Sequence, residues 1–214
     1  MRIICIPVKS LGRSKTRLSS VLGPLERGVL TLAMLEDLLD VTAAVPGWET
    51  WVVSADDVVL EIAARRGARP VSEAKPPLSS AVRQIEREAI GNGAEALTIL
   101  LGDVALATTE ALSAALRTLG PVVVAPAKGG GGTNLLLRRP PRTIQARFGR
   151  DSLSKHMDAA AAKGLPVAVV SRAELAFDLD GPQDIAVLLE SGKQGRTRQA
   201  LLEMGVLSRI PARA

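Results

Sequence analysis

Apolar runs alternate with segments of helical periodicity along roughly the first 120 residues. An uninterrupted apolar run is typical of a strand buried on both faces of a parallel sheet. Apolar residues at helical spacing, closed by glycine or proline, predict the helices in between. We therefore predict strands at 2–8, 51–54, 69–72 and 96–101, and helices from 25 to a stop at Pro46-Gly47, at 56–66, at 78–90 and after a cap at Thr108 or Thr109.

The second half of the chain is less regular. The predicted elements are, in order, a strand at 121–125, the glycine-rich segment 128–134, the apolar run 135–137, a helix at 151–162, a strand at 166–170, the segment 177–180 and a helix beginning at Pro182. The tail, 192–214, is predicted to hold a final helix at 199–204 and otherwise to be a loose end.

This alternation predicts an α/β fold with a mixed, mostly parallel sheet flanked by helices. No repeat or linker separates the two halves, so we expect one domain over 1–190, with a C-terminal helix and tail over 191–214. Ligands of such sheets gather at the carboxyl ends of the strands. Residues that directly follow a strand are therefore the first candidates for a site.

Composition excludes several classes of protein. Hydrophobic residues make up 47% and charged residues 23% of the 214 residues, as in ordinary globular domains. Aromatic residues make up only 2%, so a protein that binds single-stranded nucleic acid would lack the aromatic side chains on which bases stack. One cysteine and one histidine cannot form a Cys/His zinc site. Cys5 lies within an apolar run and is predicted to be a core residue.

Known catalytic motifs are also missing. Ser152 and His156 have helical spacing and no G-x-S-x-G motif is present, which argues against a serine hydrolase. Neither a P-loop nor a dinucleotide-binding glycine motif follows a strand. No apolar run reaches about 18 residues and no leader is visible, so we expect a cytoplasmic protein without a membrane partner.

The 27 basic residues exceed the 22 acidic residues by five. The arginines are mostly scattered, and the two local clusters are short: residues 9–17, and Arg138, Arg139, Arg142, Arg147 and Arg150. Clusters of this size beside glycines or strand ends suit small anions better than a duplex. We therefore expect no nucleic-acid partner. The hypothesis of a non-enzymatic protein that binds anions or nucleic acid has the least support, since only the excess of basic residues favours it.

A basic loop follows the first strand. It contains Lys9, Arg13, Lys15 and Arg17 and precedes the first long helix. Backbone amides and cationic side chains at the end of a strand can form a cradle for a polyphosphate. The alternative is a solvated basic loop without a ligand.

Three aspartates are the other candidates. Asp103 follows the fourth predicted strand, and Asp178 and Asp180 are two residues apart, so an extended backbone would point both to one face. Converging carboxylates repel one another unless they face water or bind a divalent cation. Magnesium, held by these carboxylates and by substrate phosphates, would account for the aspartates together with the basic loop.

From residue 1 to about residue 190 the chain resembles the 2-phospholactate guanylyltransferase family of coenzyme F-420 biosynthesis. The matching motifs are Pro7-Val8-Lys9, Lys15-Thr16-Arg17-Leu18, Glu26-Arg27, Ala33-Met34-Leu35, Ser54-Ala55-Asp56, Gly131-Gly132-Thr133-Asn134, Phe148-Gly149 with Ser152 and His156, and Asp178-Leu179-Asp180 with Asp184. The individual motifs are short, and it is their order over this length that is specific.

The resemblance implies a Rossmann-like nucleotidyltransferase fold of the nucleotide-diphospho-sugar transferase type. It implies that GMP from GTP is joined to the phosphate of 2-phospho-L-lactate, phosphoenolpyruvate or 3-phospho-D-glycerate, with magnesium as cofactor and release of diphosphate. The alternative is another enzyme of this fold, of the molybdopterin or sugar-phosphate type. The oligomeric state is left open, with a homodimer as one option.

The resemblance also implies roles for particular residues. Lys15, Arg17 and Asp103 would be catalytic, and Asp103, Asp178 and Asp180 would hold the metal. The implied nucleotide-binding residues are Pro7, Val8, Lys9, Lys15, Arg17, Ser54 and Ser79, and the acid-binding residues are Thr133, Gly149 and Ser152. The family usually has proline where this chain has Ala105, and asparagine at the position of Ser79, so Ser79 or backbone groups are left to contact the base.

Overall fold

A seven-stranded sheet organises the protein in a computed structural model that describes residues 1–74 and 78–210, apart from the side chain of Arg13. The strands are β1 (Arg2–Pro7), β2 (Glu49–Ser54), β3 (Arg69–Ser72), β4 (Ala96–Leu100), β5 (Val122–Pro126), β6 (Thr133–Arg138) and β7 (Val167–Val169). Their order is β3-β2-β1-β4-β6-β5-β7, and only β6 runs antiparallel to its neighbours β4 and β5. The predicted mixed, mostly parallel sheet is confirmed.

Helices cover both faces of the sheet. They are α1 (Pro24–Ala43), α2 (Asp57–Arg65), α3 (Leu78–Gly91), α4 (Thr109–Arg117), α5 (Ser152–Ala161), α6 (Ala173–Ala176), α7 (Pro182–Glu190) and α8 (Arg196–Glu203), with 3-10 turns at 11–13, 16–18 and 206–209. Thr108 caps α4 through its side chain, as predicted. The short helix α6 was not predicted. Among the described residues, no helix is both long and apolar enough to span a bilayer.

β1 shows why the strands are apolar throughout. Ile4 and Ile6 pack into the core on one face of the sheet, and Ile3 and Cys5 pack into the core on the other. All four side chains are fully buried. Burial raises the pKa of the Cys5 thiol, which confirms that this cysteine is an inert core residue.

β6 begins two residues before the apolar run that predicted it. The polar side chains of Thr133 and Asn134 are buried there because each finds an internal partner. Thr133 Oγ1 lies 3.1 Å from His156 Nδ1, and Asn134 Nδ2 donates to the carbonyl oxygens of Leu175 and Ala176 at 3.0 Å. Sequence patterning treated both residues as loop because it could not show these partners.

The second basic cluster does not form an anion site. Arg138 is fully buried and pairs with Glu86 of α3, while its Nη1 also donates to the Ile144 carbonyl. Arg139 donates to the carbonyl oxygens of Leu116, Thr118 and Gly120 at the end of α4. Because β6 is antiparallel, both arginines lie at the edge of the sheet opposite the carboxyl ends of β1 and β4. The expectation that this cluster faces a small anion was therefore wrong for these two residues.

The tail packs against α1. Asp37 of α1 accepts hydrogen bonds from the backbone N–H groups of Arg196 and Thr197 at 2.8 and 2.9 Å, and so caps α8. Leu201 and Val206 are fully buried in one cluster with Leu30 and other residues of α1. The prediction of a loose end was therefore wrong as far as residue 210, and residues 211–214 lie outside the described part of the chain.

Removing this cap should destabilise the protein. We expect Asp37→Ala to lower the free energy of unfolding by about 1–2 kcal/mol, because two helix N–H groups lose their acceptor. Urea unfolding measures the change, with the exposed Asp158→Ala on α5 as the matched control, expected within about 0.5 kcal/mol of wild type. Equal stability of the two variants would show that the Asp37 contacts contribute nothing.

Candidate active site

A cleft of about 810 Å³ opens at the carboxyl ends of the parallel strands. It is lined by residues from the basic loop after β1, the turn after β4, the start of α3, the glycine-rich loop between β5 and β6, and the segments 148–151 and 178–180. The predicted site residues that line it are Pro7, Val8, Lys9, Lys15, Arg17, Asp103, Gly149, Asp178 and Asp180. The Arg13 side chain, also predicted there, lies outside the described residues.

The basic loop is held by an internal network. The Leu11 N–H donates to Asp56 Oδ2 at 3.0 Å, and Asp56 also caps α2. The buried Ser14 hydroxyl donates to the Leu11 carbonyl at 2.8 Å and accepts from Thr31 Oγ1 at 2.9 Å. Lys15 follows with a φ of 49°, a left-handed conformation that is costly for a residue with a side chain and persists where its surroundings impose it. The loop thus presents its cations from a fixed backbone.

Lys15 is the centre of the site. Its ammonium donates to the Leu179 carbonyl at 2.6 Å and to Asp103 Oδ2 at 3.1 Å, and it lies 3.6 Å from Asp180 Oδ1. Arg17 Nη1 lies 2.9 Å from the other oxygen of Asp180. The Lys15 side chain is 9% exposed and that of Arg17 is 77% exposed. Lys15 is therefore part of the site wall, whereas Arg17, although paired with Asp180, is exposed and accessible to a ligand.

Asp178 lies against a second lysine. Lys128 Nζ donates to the Asp178 carbonyl at 2.6 Å and lies 2.5 Å from Asp184 Oδ1. Burial, with the neighbouring charges of Asp103 and Asp180, raises the pKa of Asp178 above its ordinary value. Asp184 has its pKa lowered, because hydrogen bonds from Lys128 and from the N–H groups of Gly181 and Asp180 outweigh its burial.

The aspartates have unused ligand atoms. Asp103 Oδ1 and Asp178 Oδ1 are buried and have no hydrogen-bond partner. Buried carboxylate oxygens without a partner are costly unless a cation meets them. Among the described residues, no group of three or more His, Cys, Asp and Glu side chains is placed so that it could hold a metal ion, and the three-aspartate metal site stays a prediction. The two free oxygens therefore fit a divalent cation that takes its remaining ligands from elsewhere, as Mg²⁺ does from water and phosphates.

Four predicted site residues do not line the cleft. Thr133 and Ser152 are buried, with Thr133 beside His156 and the Ser152 N–H donating to the Gly149 carbonyl at 3.2 Å. Ser54 is buried, and its hydroxyl accepts from the Asp56 N–H at 3.1 Å. Ser79 is exposed on α3, whose residues Leu78 and Ala81 line the cleft instead. The ligand contacts expected of these four residues stay predictions.

His156 links β6 to the segment that closes the cleft. Its Nε2 accepts from the Arg147 N–H at 2.9 Å, so Nδ1 carries the proton and donates to Thr133 Oγ1. The Phe148 ring packs edge-on against the imidazole at 5.3 Å. Burial and the nearby charge of Arg138 lower the pKa of His156 to about 4. Both ring nitrogens are occupied, so this histidine holds the segment at 147–149 in place.

Four charged residues of the cleft escaped the sequence reasoning: Glu73, Lys128, Arg150 and Asp151. Glu73 directly follows β3 and Lys128 comes two residues after β5, so a systematic inspection of strand ends would have found both. Arg150 was noted only as part of a basic cluster. Nothing in the sequence separates it from Arg138 and Arg139, which lie elsewhere.

The sheet order, with a cleft at the carboxyl ends of its strands, matches the fold of nucleotidyltransferases of the nucleotide-diphospho-sugar transferase type. A solved structure from Desulfovibrio desulfuricans G20, provisionally described as a nucleotide-diphospho-sugar transferase, matches with a TM-score of 0.81 at 20% identity over 98% of both chains. A nucleotidyl transferase from Methanothermobacter thermautotrophicus matches with a TM-score of 0.63 at 18% identity over 90% of this chain and 99% of that chain.

The family follows from the sequence comparisons. A family model described as "Guanylyl transferase CofC like" matches residues 1–211, and the chain belongs to this family. The match extends beyond residue 190, where the resemblance was expected to end.

Its relatives carry three different names. One from Rubrobacter xylanophilus, named phosphoenolpyruvate guanylyltransferase, is 38% identical over 91% of this chain and 97% of its own. One from Phenylobacterium zucineum, named 3-phospho-D-glycerate guanylyltransferase, is 34% identical over 88% of this chain and 89% of its own. One from Haloferax volcanii, named 2-phospho-L-lactate guanylyltransferase, is 34% identical over 90% of this chain and 86% of its own.

The lowered pKa of His156 predicts a pH dependence. Because the folded protein binds this proton only near pH 4, while an unfolded chain binds it near pH 6.5, the contribution to stability is complete above pH 6.5 and is lost as the pH falls towards 4. We expect wild type to lose about 3 kcal/mol more than His156→Gln over this range. Urea unfolding at several pH values measures it, and identical slopes would contradict the assignment.

The raised pKa of Asp178 predicts a pH dependence of stability opposite to that of His156. Its charge disfavours the folded state, so this term weakens stability as the pH rises through the carboxyl range. In metal-free buffer at pH 7 we expect Asp178→Asn to be up to about 1 kcal/mol more stable than wild type, a small gain because the side chain is partly solvated. Thermal unfolding checks this against Asp158→Asn, an exposed control. A destabilised Asp178→Asn would show that the carboxylate is not under repulsion.

Proposed function

We propose that the protein joins GMP from GTP to the phosphate of a phosphorylated three-carbon acid and releases diphosphate, in the cytoplasm and as a step of coenzyme F-420 biosynthesis. The acid is 2-phospho-L-lactate, phosphoenolpyruvate or 3-phospho-D-glycerate, the three named in its relatives. The observation that carries the proposal is the convergence of Lys15 and Arg17 with Asp103, Asp178 and Asp180 in one cleft.

The reaction brings two anions together. A phosphate oxygen of the acid attacks the α-phosphorus of the nucleotide, the bond to the β-phosphate oxygen breaks, and diphosphate leaves. Catalysis of this kind depends mainly on positioning and charge neutralisation. The cleft offers Lys9, Lys15, Arg17, Lys128 and Arg150 for that purpose. Lys9 and Arg17 come from the loop predicted to hold a polyphosphate, and Lys128 and Arg150 come from the other side.

No general base is required. The attacking phosphate is already ionised at neutral pH, since the second pKa of a phosphate monoester is about 6. The structure supports this, because His156 uses both ring nitrogens for internal hydrogen bonds and its pKa is lowered. The nucleophile is therefore supplied by the substrate and not by a side chain.

Magnesium fits the free oxygens of Asp103 and Asp178, with Asp180 beside them. Bound there, it would neutralise phosphate charge and assist departure of diphosphate. Lys15 holds Asp103 and Asp180 in position, and Lys128 holds the backbone of Asp178. The chain's own contribution is to keep these carboxylates together before any ligand arrives.

A diphosphate-release assay tests the proposal. With GTP and Mg²⁺ we expect diphosphate only when one of the three acids is present, and a lower rate with CTP or ATP. Asp178→Asn should reduce the rate about 100-fold or more, as expected for a group that stabilises charge in the transition state. Asp158→Asn should leave it unchanged.

No release with any of the three acids would refute the proposal. Faster release with CTP or ATP than with GTP would instead favour another nucleotidyltransferase of the same fold. An unchanged rate in Asp178→Asn would remove that carboxylate from the reaction.

A further inference from the structure

Glu73 lines the cleft on the side formed by the end of β3 and the start of α3. It directly follows β3, and its backbone N–H donates to the Ser54 carbonyl at the end of β2 at 2.7 Å. Its side chain lines the cleft together with Leu78 and Ala81 of α3. Asp103 and Asp180 contact Lys15, and Asp178 lies beside Lys128. Asp151 lines the cleft from the segment that also holds Arg150, whereas the lining residues next along the chain from Glu73 are the apolar Leu78 and Ala81.

The Glu73 carboxylate has no hydrogen-bond or ion-pair partner among the described residues. Burial raises the pKa of this carboxyl. A negative group without a cation partner among the described residues would repel the phosphate or carboxylate of a ligand. What it can accept is a neutral group that donates hydrogen bonds.

We propose that Glu73 selects the base of the nucleotide by accepting hydrogen bonds from N1–H and the 2-amino group of guanine. This inference rests on the proposed function, since it assumes that the triphosphate lies along Lys9, Lys15 and Arg17. With the phosphates there, the base lies towards the β3 and α3 side of the cleft, between the ends of β2 and β3 and the apolar residues of α3. Leu78 and Ala81, which belong to one hydrophobic cluster with Phe148, then contact the base plane.

The carboxylate discriminates between bases because it can accept hydrogen bonds but cannot donate them. Guanine presents two adjacent donors, N1–H and N2–H, which match its two oxygens. Adenine and cytosine present a ring nitrogen lone pair at the equivalent position, which a carboxylate repels. Hypoxanthine keeps N1–H and lacks the amino group. The expected order of preference is therefore GTP, then ITP, then ATP and CTP.

On this proposal, Glu73 contacts the base at the place where the resemblance implied a contact from Ser79. Ser79 is exposed and does not line the cleft, whereas Glu73 does.

The variant Glu73→Gln tests the proposal, because it keeps the size of the side chain and replaces one acceptor oxygen by a donor. We expect the affinity for GTP to fall about 10- to 100-fold. The preference for GTP over ITP should be lost, and the affinity for ATP should rise relative to that for GTP. Calorimetric titration of the full chain with each nucleotide, without any acid, measures this. Glu110→Gln, an exposed residue of α4, is the control and should keep the wild-type order.

Binding without the acid separates this inference from the proposed function. If wild type binds GTP selectively and releases no diphosphate with any acid, the proposed acceptor is wrong and Glu73 can still be judged. If Glu73→Gln keeps the wild-type ratios, or if Ser79→Ala loses them while Glu73→Gln does not, Glu73 is not the selector.

A second measurement needs no variant. Wild type should bind 1-methyl-GTP, which lacks the N1 donor, at least about 10-fold more weakly than GTP. Equal binding would overturn the proposal even if Glu73→Gln failed to fold.

Discussion

The contacts of Lys15 hold the site together. Its ammonium joins the loop after β1 to Asp103 after β4 and to the segment at 179–180, which are 88 and 164 residues away along the chain. Three carboxylates would not gather at one edge of a sheet without a cation between them, because their repulsion in a partly buried place is unfavourable. Lys128 plays the same part on the other side of Asp178. The ligand-free site is thus balanced by its own lysines, and a metal would bind to the two carboxylate oxygens that these lysines leave free.

Much of this arrangement could be predicted because it depends on local patterns. Buried strands appear as continuous apolar runs, and the rule that ligands meet the carboxyl ends of strands was enough to predict that Lys15 and Asp103 lie at one edge. Asp178 follows α6 and not a strand, and it was predicted there from its spacing to Asp180 and from the resemblance. The pairing partners could not be predicted. Whether an arginine such as Arg138 faces a ligand or a buried Glu86 depends on contacts between segments distant in sequence. The same holds for the tail, which is ordered by Asp37 of a helix formed far earlier in the chain.

Small polar residues were the hardest to place. Thr133 and Ser152 belong to motifs that resemble a substrate site, yet one contacts His156 and the other lies at the buried start of α5. A threonine can serve a ligand or a neighbouring side chain with the same hydroxyl, and sequence does not distinguish the two. Glu73 shows the reverse case, because a glutamate after a short strand becomes a candidate only when the structure shows that it lines the cleft without a charged partner among the described residues.

The segment at 147–149 joins parts of the cleft that belong to different strands. His156 connects it to β6 through the Arg147 N–H and Thr133 Oγ1, while Phe148 packs against the cluster that contains Ala81 of α3 and residues of β1 and β2. A substitution that displaces this segment would therefore disturb the cleft on both sides. On the proposed function, the acceptor pocket and the nucleotide pocket are coupled through it, in a family whose members are named for one nucleotidyl group and three different acids.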